Sequence, residues 1–433
     1  MDGTQTPPAL LLHNARLICP ESDTVGIGSL TIEGPRIAAV DVRPARSRKL
    51  HEFDCGGLYL APGIVDIGVK IGEPGERHKE SFGSAGRAAA AGGVTTMVTR
   101  PDTSPPIDNP ETLQFFMRRA SADSMVTIKP MASLTRGRAG SEVAEISLLR
   151  DVGAIAFSDC DSPVRDVSVF ARCLSYCSQN DALVIGHPQD ADLSRGAAAT
   201  TGRFAALKGL PSVSPLAERM GLERDLAVVE MTGARYHADQ ITTAAALPPL
   251  ARAIDQGLSV SAGTSIHHLT LNEHDIAGYR TFFKVKPPLR SESDRQAIIE
   301  AVADGRIGTI SSMHTPQDEE SKRLPFEAAA SGAVAVETLL PAALRLFHSG
   351  DIGLPALFRA LSLNPSRLLG LDTGRLAPGA PADLVLFDAD IPFTLDRFEL
   401  NSKSKNTPFD GQLLQGKVIR TYHQGQLIYR KPV

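Results

Sequence analysis

The sequence is short of the features that mark several protein classes. Its five cysteines, Cys19, Cys55, Cys160, Cys173 and Cys177, are odd in number and form no Cys-x-x-Cys pair. That argues against a disulfide framework or a zinc ribbon and fits a reducing cytoplasm. No apolar run approaches the roughly 18 residues that span a bilayer, so no membrane association is expected. Excess charge of either sign is also missing. The 45 Lys plus Arg stand against 49 Asp plus Glu, a formal charge of −4, which gives no hint of nucleic-acid binding. No Gly-x-Gly-x-x-Gly loop opens a helix, which weakens a dinucleotide-binding reading. The opening residues MDGTQTPPALLLHNAR lack a basic stretch followed by a long apolar one, so no secretory signal is expected. What is there is 433 residues, 42% hydrophobic and 22% charged. This is an ordinary balance for a folded chain of two or three domains, or of one large barrel with an appendage.

The pattern along the chain favours the barrel. Residues 10–19, 28–33 and 36–40 near the start, and 382–388, 416–422 and 426–429 near the end, are β-rich runs separated by Pro and Gly. Strand-rich ends around a different centre predict that the termini pair into one small β domain. The centre alternates helices at 81–92, 111–120, 142–151, 167–178, 242–256 and 294–303 with strands at 94–99, 126–131, 154–157, 182–185, 258–261 and 307–311. Such alternation predicts parallel strands with crossover helices. Its number of units favours a (β/α)8 barrel over an open sheet. The predicted α/β organisation is a barrel over 61–370, flanked by 1–60 and 371–433 as the two parts of the β domain. Residues 191–219, rich in Ser, Gly and Ala, read as a long loop on the barrel face, either a lid or a contact surface.

Ala61-Pro62-Gly63-Ile64-Val65-Asp66 opens a series of motifs. Glu73-Pro74-Gly75, His78-Lys79-Glu80, Thr95-Thr96 and Phe157-Ser158-Asp159 continue it. Pro287-Pro288-Leu289-Arg290, Glu337-Thr338-Leu339-Leu340-Pro341, Asn364-Pro365-Ser366 and the run SKSKNTPFDG at 402–411 complete it. In this order, over nearly the whole chain, they resemble the bacterial dihydroorotases of the amidohydrolase superfamily. The resemblance implies a (β/α)8 TIM barrel of metal-dependent hydrolase type with a β-sandwich formed by both chain ends. It also implies a cytoplasmic homo-oligomer and zinc chemistry. The metal activates water for attack on a cyclic amide, held by His and carboxylate ligands at the C-terminal mouth of the barrel.

The chemical positions, however, depart from the family pattern. There the first barrel strand carries Asp-x-His-x-His, whose spacing of two puts both histidines on one face. Here it reads Asp66-Ile67-Gly68-Val69-Lys70. Glycine has no ligand atom, and an ammonium has no lone pair. The eleven histidines include no His-x-His. Asp159 and His187 stand at ligand positions, but Gln240 replaces the histidine of Tyr-His-x-x-His. Met313 stands where the family has its catalytic aspartate, and a thioether cannot take a proton from water at neutral pH. Gly72 replaces the substrate-binding arginine, Asp102 and Lys286 replace asparagines, and His314 is retained. His267 and His268, being adjacent, are expected to pack in the core or a loop instead of chelating one ion. Lys286 with Arg290 is either an anion site or, for Arg290, part of a structural turn. Lys70 is expected to occupy the metal's place and neutralise Asp66 or Asp159.

Losses confined to chemical positions, in a scaffold otherwise intact, point to a protein whose fold is needed and whose dihydroorotase chemistry is not. The resemblance then implies a non-catalytic partner of aspartate transcarbamoylase, expected to carry no metal cofactor. The alternatives are an active dihydroorotase or related cyclic-amide hydrolase with an altered zinc site, and a binding protein for an anionic small molecule.

Overall fold

The computed structural model describes residues 9–41 and 50–432. Residues 1–8, half of the stretch read for a signal, lie outside the described residues. Eight parallel strands form the barrel in chain order: Ile64–Val69, Val94–Thr99, Thr127–Ala132, Ala156–Phe157, Leu183–Gly186, Arg235–Ala238, Val260–Ser265 and Thr309–Ser311. Val65, Ile67, Val98, Met131, Ala156, Leu183 and Ile185 fill its interior. The lower barrel is therefore a packed core, and the loops at the strand C-termini are left to build a site. No helix among the described residues is long and apolar enough to cross a membrane, and all five cysteines are free.

The two chain ends meet where strand Tyr59–Pro62 runs parallel to Ala9–Cys19 on one side and antiparallel to Leu384–Thr394 on the other. The resulting eight-stranded mixed sheet has its own core, in which Leu12, Leu30 and Leu60 from one end pack with Leu384, Leu386 and Tyr422 from the other. Because Tyr59–Pro62 leads through Gly63 straight into the first barrel strand, this sheet and the barrel are fixed to each other.

Three segments differ from the sequence reading. Residues 191–219 are not one loop. They hold the helix Arg203–Lys208 and the paired strands Ala199–Thr200 and Ser212–Val213, and they enter the helix Leu216–Thr232. Their small residues Ala198, Ala199 and Ala205 bury against Ile276 and Phe326, which gives an alanine-rich run a core of its own. The strand Arg235–Ala238 escaped notice because its sequence, RYHA, is not aliphatic. The helix expected over 242–256 begins only at Leu247, because the Thr242 and Thr243 amides donate to the buried Glu218 carboxylate at 2.8 and 2.9 Å.

The last and first barrel strands form no continuous ladder. Instead Ser312 N–H donates to Asp66 Oδ1 at 2.8 Å, and Lys70 N–H to His314 O at 2.8 Å. Asp66 is fully buried and its Oδ2 has no partner. Burial raises its carboxyl from the usual 3.8 to about 6, against the opposing pull of Ser312. A raised folded value means that the stabilisation is complete in acid and is lost as the pH rises from about 4 through about 6. Asp66→Asn keeps an acceptor for Ser312 but cannot ionise. Between pH 5 and 8 its stability, measured by urea unfolding, is expected to gain about 1–3 kcal/mol relative to the parent. Parallel pH profiles would show that Asp66 is not the titrating group.

Candidate functional site at the barrel mouth

The strand C-termini deliver their side chains to one face, as a parallel barrel requires. There Lys70, Asp102, Gln240, Lys286 and Met313 line a small cavity of about 100 Å3 together with Arg100, His267 and His268. Seven of the positions singled out in the sequence, His267 and His268 among them, thus converge. Gly68, Gly72, Asp159, His187 and His314 are not among the lining residues. His187 lines an adjoining, larger cavity that shares Asp161, Lys286 and Ser331 with the small one. Asp159 lies behind the mouth, where its carboxylate accepts the Leu134 and Thr135 amides at 3.0 and 3.1 Å and the Thr135 hydroxyl. Burial raises the Asp159 carboxyl and these bonds lower it, with burial prevailing.

His314 is completely buried, and its Nδ1 accepts from Ala335 N–H at 3.2 Å. The ring proton is therefore on Nε2, 3.4 Å from Glu80 Oε2. Glu80 in turn accepts from the hydroxyls of Ser84 and Ser402 and from Lys403 N–H at 3.1 Å, which ties the 402–406 segment to the barrel. His314 is thus a structural link and not a pocket residue. Gly72 is outside the pocket too. A side chain there would run into the carbonyl of Glu76, whose own N–H donates to Gly72 O at 2.5 Å. An arginine at 72 would require a different loop.

The expected pairing of Lys70 with Asp66 or Asp159 does not form. Gly68 has φ +88°, and the ladder to the second strand shifts register between Ile67 and Val69. The simple alternation of side chains is broken there, and Asp66 is spent on the seam. Lys70 Nζ instead lies 3.1 Å from Asp102 Oδ2 and 3.5 Å from Glu76 Oε2. Asp102 also takes both arms of Arg100, at 3.1 and 3.0 Å. Arg100 reaches Asp161 at 3.3 Å, and Asp161 receives Lys286 at 3.3 Å and Arg138 at 3.5 Å. Burial pushes the Asp102 carboxyl up, but Arg100 and Lys70 beside it outweigh this and hold it below the usual range. Asp161 is lowered in the same way, burial being overcome by Arg100 and Lys286. Sequence reasoning missed Arg100, Arg138 and Asp161. Arg100 was detectable as a charged residue one position past a barrel strand.

Met313 fills the space that a side chain at 68 would need: a Cβ on Gly68 would sit 2.7 Å from the Met313 sulfur. The residues present do not fit a divalent zinc site. At the five family positions there is no donor atom on Gly68, a cation at Lys70, a carboxylate saturated by hydrogen bonds at Asp159, and an amide at Gln240. Only His187 retains a free imidazole. Among the described residues no three His, Cys, Asp or Glu side chains are grouped to hold a metal ion. Closed zinc sites use about four such ligands.

His267 and His268 lie on the short helix Ile266–Thr270, not on a strand. His268 bonds Ser265 Oγ at 2.7 Å and Pro287 O at 3.1 Å. Both nitrogens of His267 are buried without a partner, and burial with nearby His314 pushes its pKa down to about 3. Arg290 belongs to the structural alternative: it is buried, paired with Glu218 at 3.2 Å and bonded to Thr242 at 2.9 Å.

With this geometry the comparisons with known proteins can be placed. Residues 172–428 match the model of the amidohydrolase family, and residues 57–246 match the dihydro-orotase-like model. The chain is 36% identical over 423 residues to a dihydroorotase of Syntrophus aciditrophicus, covering 98% of this chain and 99% of that protein. It is 37% identical over 418 residues to a dihydroorotase-like protein of Pseudomonas aeruginosa, covering 96% and 99%. The L-hydantoinase of Arthrobacter aurescens superposes with a TM-score of 0.89 over 98% of this chain and 96% of that one at 22% identity, a likeness of fold. The chain belongs to the dihydroorotase family of amidohydrolases.

The Met313–Gly68 contact is open to a double-mutant cycle. Gly68→Ala is expected to cost about 1–3 kcal/mol, from the left-handed backbone and the Met313 overlap together. In a Met313→Ala background the cost should fall by about 1 kcal/mol without vanishing. Additive effects in chemical denaturation would show that the two positions are not in steric contact.

Proposed function

We propose that this chain is a dihydroorotase-like protein of pyrimidine biosynthesis that has given up metal-dependent hydrolysis and serves as a structural partner of aspartate transcarbamoylase, as a homo-oligomer in the cytoplasm. The observation that carries the reading is the interlocking of the replaced residues. Met313 occupies the room vacated at Gly68, and Lys70 is bound into carboxylates of its own. Decay of an unused site leaves gaps and unpaired charges, whereas these replacements pack and pair with one another.

The reaction of the family needs an activated water and a group to take its proton. Met313 offers neither basicity nor a negative charge. Lys70 brings a fixed positive charge to the mouth, but an ammonium already paired with Asp102 cannot generate hydroxide as a metal does. Support for a scaffolding role comes from the intact seam, the buried Glu80 link and the shared core of the two chain ends. All of these keep a rigid surface in place without the chemistry.

Two measurements on untagged protein test this reading. Purified protein is expected to show no turnover of dihydroorotate with or without added zinc. It is also expected to co-sediment with aspartate transcarbamoylase from the same organism at micromolar concentration. Stoichiometric zinc together with turnover would establish the other reading, an active cyclic-amide hydrolase with an altered site. Absence of a complex would remove the partner role.

A further inference from the structure

We infer that the cleft between the mixed sheet and the flank of the barrel is a binding site for a small zwitterion with an apolar body, an apolar amino acid or short peptide. The cleft has a volume of about 530 Å3 and shares no lining residue with the two cavities at the mouth. Its size and its place between two packed units are those of small-ligand sites. Ala91 and Pro341 line it from the barrel, and Phe393, Leu395, Val418 and Tyr429 from the sheet side. Around this apolar part stand three carboxylates, Glu337, Asp396 and Glu399, and three cations, Lys417, Arg430 and Lys431. Among the described residues none of the six forms an ion pair. At the mouth, by contrast, Lys70, Asp102, Arg100 and Asp161 are paired with one another. Both signs of charge thus surround one cleft without meeting, and the cleft keeps them apart.

A second observation concerns Glu337, Lys417 and Tyr429, which are half-buried and not freely solvated. The Glu337 carboxylate accepts from Asn401 N–H at 2.7 Å and from Asn401 Nδ2 at 3.0 Å, both neutral donors. The cation beside it, Lys405, is spent on the carbonyls of Leu400 and Ser402. Burial therefore raises the Glu337 carboxyl to about 7, although Asn401 and Lys405 pull the other way. Tyr429 feels the same charge: burial raises its phenol, and Glu337 raises it further. Its hydroxyl has no hydrogen-bond partner among the described residues. Lys417 Nζ has only the Phe393 ring, 4.5 Å from its centroid. A half-buried charge gains most from a charge-assisted hydrogen bond. An anion alone would meet three carboxylates, and a cation alone three cations. A zwitterion answers both, its ammonium at Glu337 and Tyr429 and its carboxylate at Lys417, with an apolar body against Phe393, Leu395 and Val418.

The test is calorimetric titration of the full chain with leucine and leucyl-leucine, each also in its N-acetylated and its C-amidated form, at matched ionic strength. Acetylation removes the ammonium and amidation the carboxylate. One of the two unblocked probes, at least, is expected to bind with a submillimolar Kd. Each of its blocked forms should bind at least about tenfold more weakly. Leucine prevailing would identify a free amino acid as the source, and leucyl-leucine prevailing a peptide. Glu337→Gln should weaken the unblocked probe to the level of its acetylated form, and Lys417→Met to that of its amidated form. Either variant decides the matter where the other fails to fold. Arg195→Ala, at the mouth-side cavity, should change nothing. No saturable binding of either probe up to about 10 mM would overturn the site. So would binding indifferent to both blocking groups, or binding lost in Arg195→Ala and kept in Glu337→Gln and Lys417→Met. The outcome is separate from turnover and from association with the transcarbamoylase, so either reading can fail without the other.

Discussion

A barrel of eight parallel strands needs a closing contact between its last strand and its first, and here that contact rests on one buried carboxylate. Asp66 takes the Ser312 amide, and four residues later the Lys70 amide takes His314 O. These two bonds fix the register of 312–314 against 66–70. The register sets Met313 over Gly68 and brings His314 inward to Glu80. The arrangement of the mouth is therefore a consequence of how the seam closes. An ionised carboxylate half-satisfied in a dry interior is a costly closure. Burial raises the Asp66 carboxyl for this reason, and the Ser312 bond offsets part of the effect.

The mouth is organised by alternation of charge. Glu76, Lys70, Asp102, Arg100, Asp161 and Lys286 follow one another in contact, with Arg138 joining at Asp161. A pair of buried ions gains little over its desolvation cost, and removing one partner from it is expensive. In a chain each interior ion, Lys70, Asp102, Arg100 and Asp161, has partners on both sides. Such a chain also links loops after four different barrel strands, which a metal ion would otherwise do from the centre. The hub at Glu80 serves the same end from below, holding the 402–406 segment against the barrel.

Much of this was legible in the sequence, and what was not has physical causes. The barrel and the pairing of the chain ends follow from hydrophobic period and from the turn residues between runs. The strand Arg235–Ala238 did not show itself, because Tyr236 and His237 bury polar side chains that read as loop. Here Tyr236 donates to Asp225 at 2.6 Å and His237 meets Ser261 at 2.8 Å, partners on the neighbouring helix and strand. At the site, residue identity told which groups had been replaced, but not where the replacements point. Lys70 reached Asp102 and not Asp66 because Gly68 breaks the alternation of the strand, and no spacing rule announces a positive φ. His314 turned out to be a structural residue because its neighbours Glu80 and Ala335 come from distant segments.

The same geometry bears on how the altered site could have arisen. A histidine at 68 and a methionine at 313 compete for one volume, while a histidine at 70 would leave Asp102 with Arg100 alone. Gly72 is held by a loop that leaves an arginine no room. Returning position 68 or 72 to the family residue would therefore introduce a clash, and returning position 70 would remove one of the two cations on Asp102. Interactions of this kind are non-additive, and they make the altered mouth a local optimum in its own right.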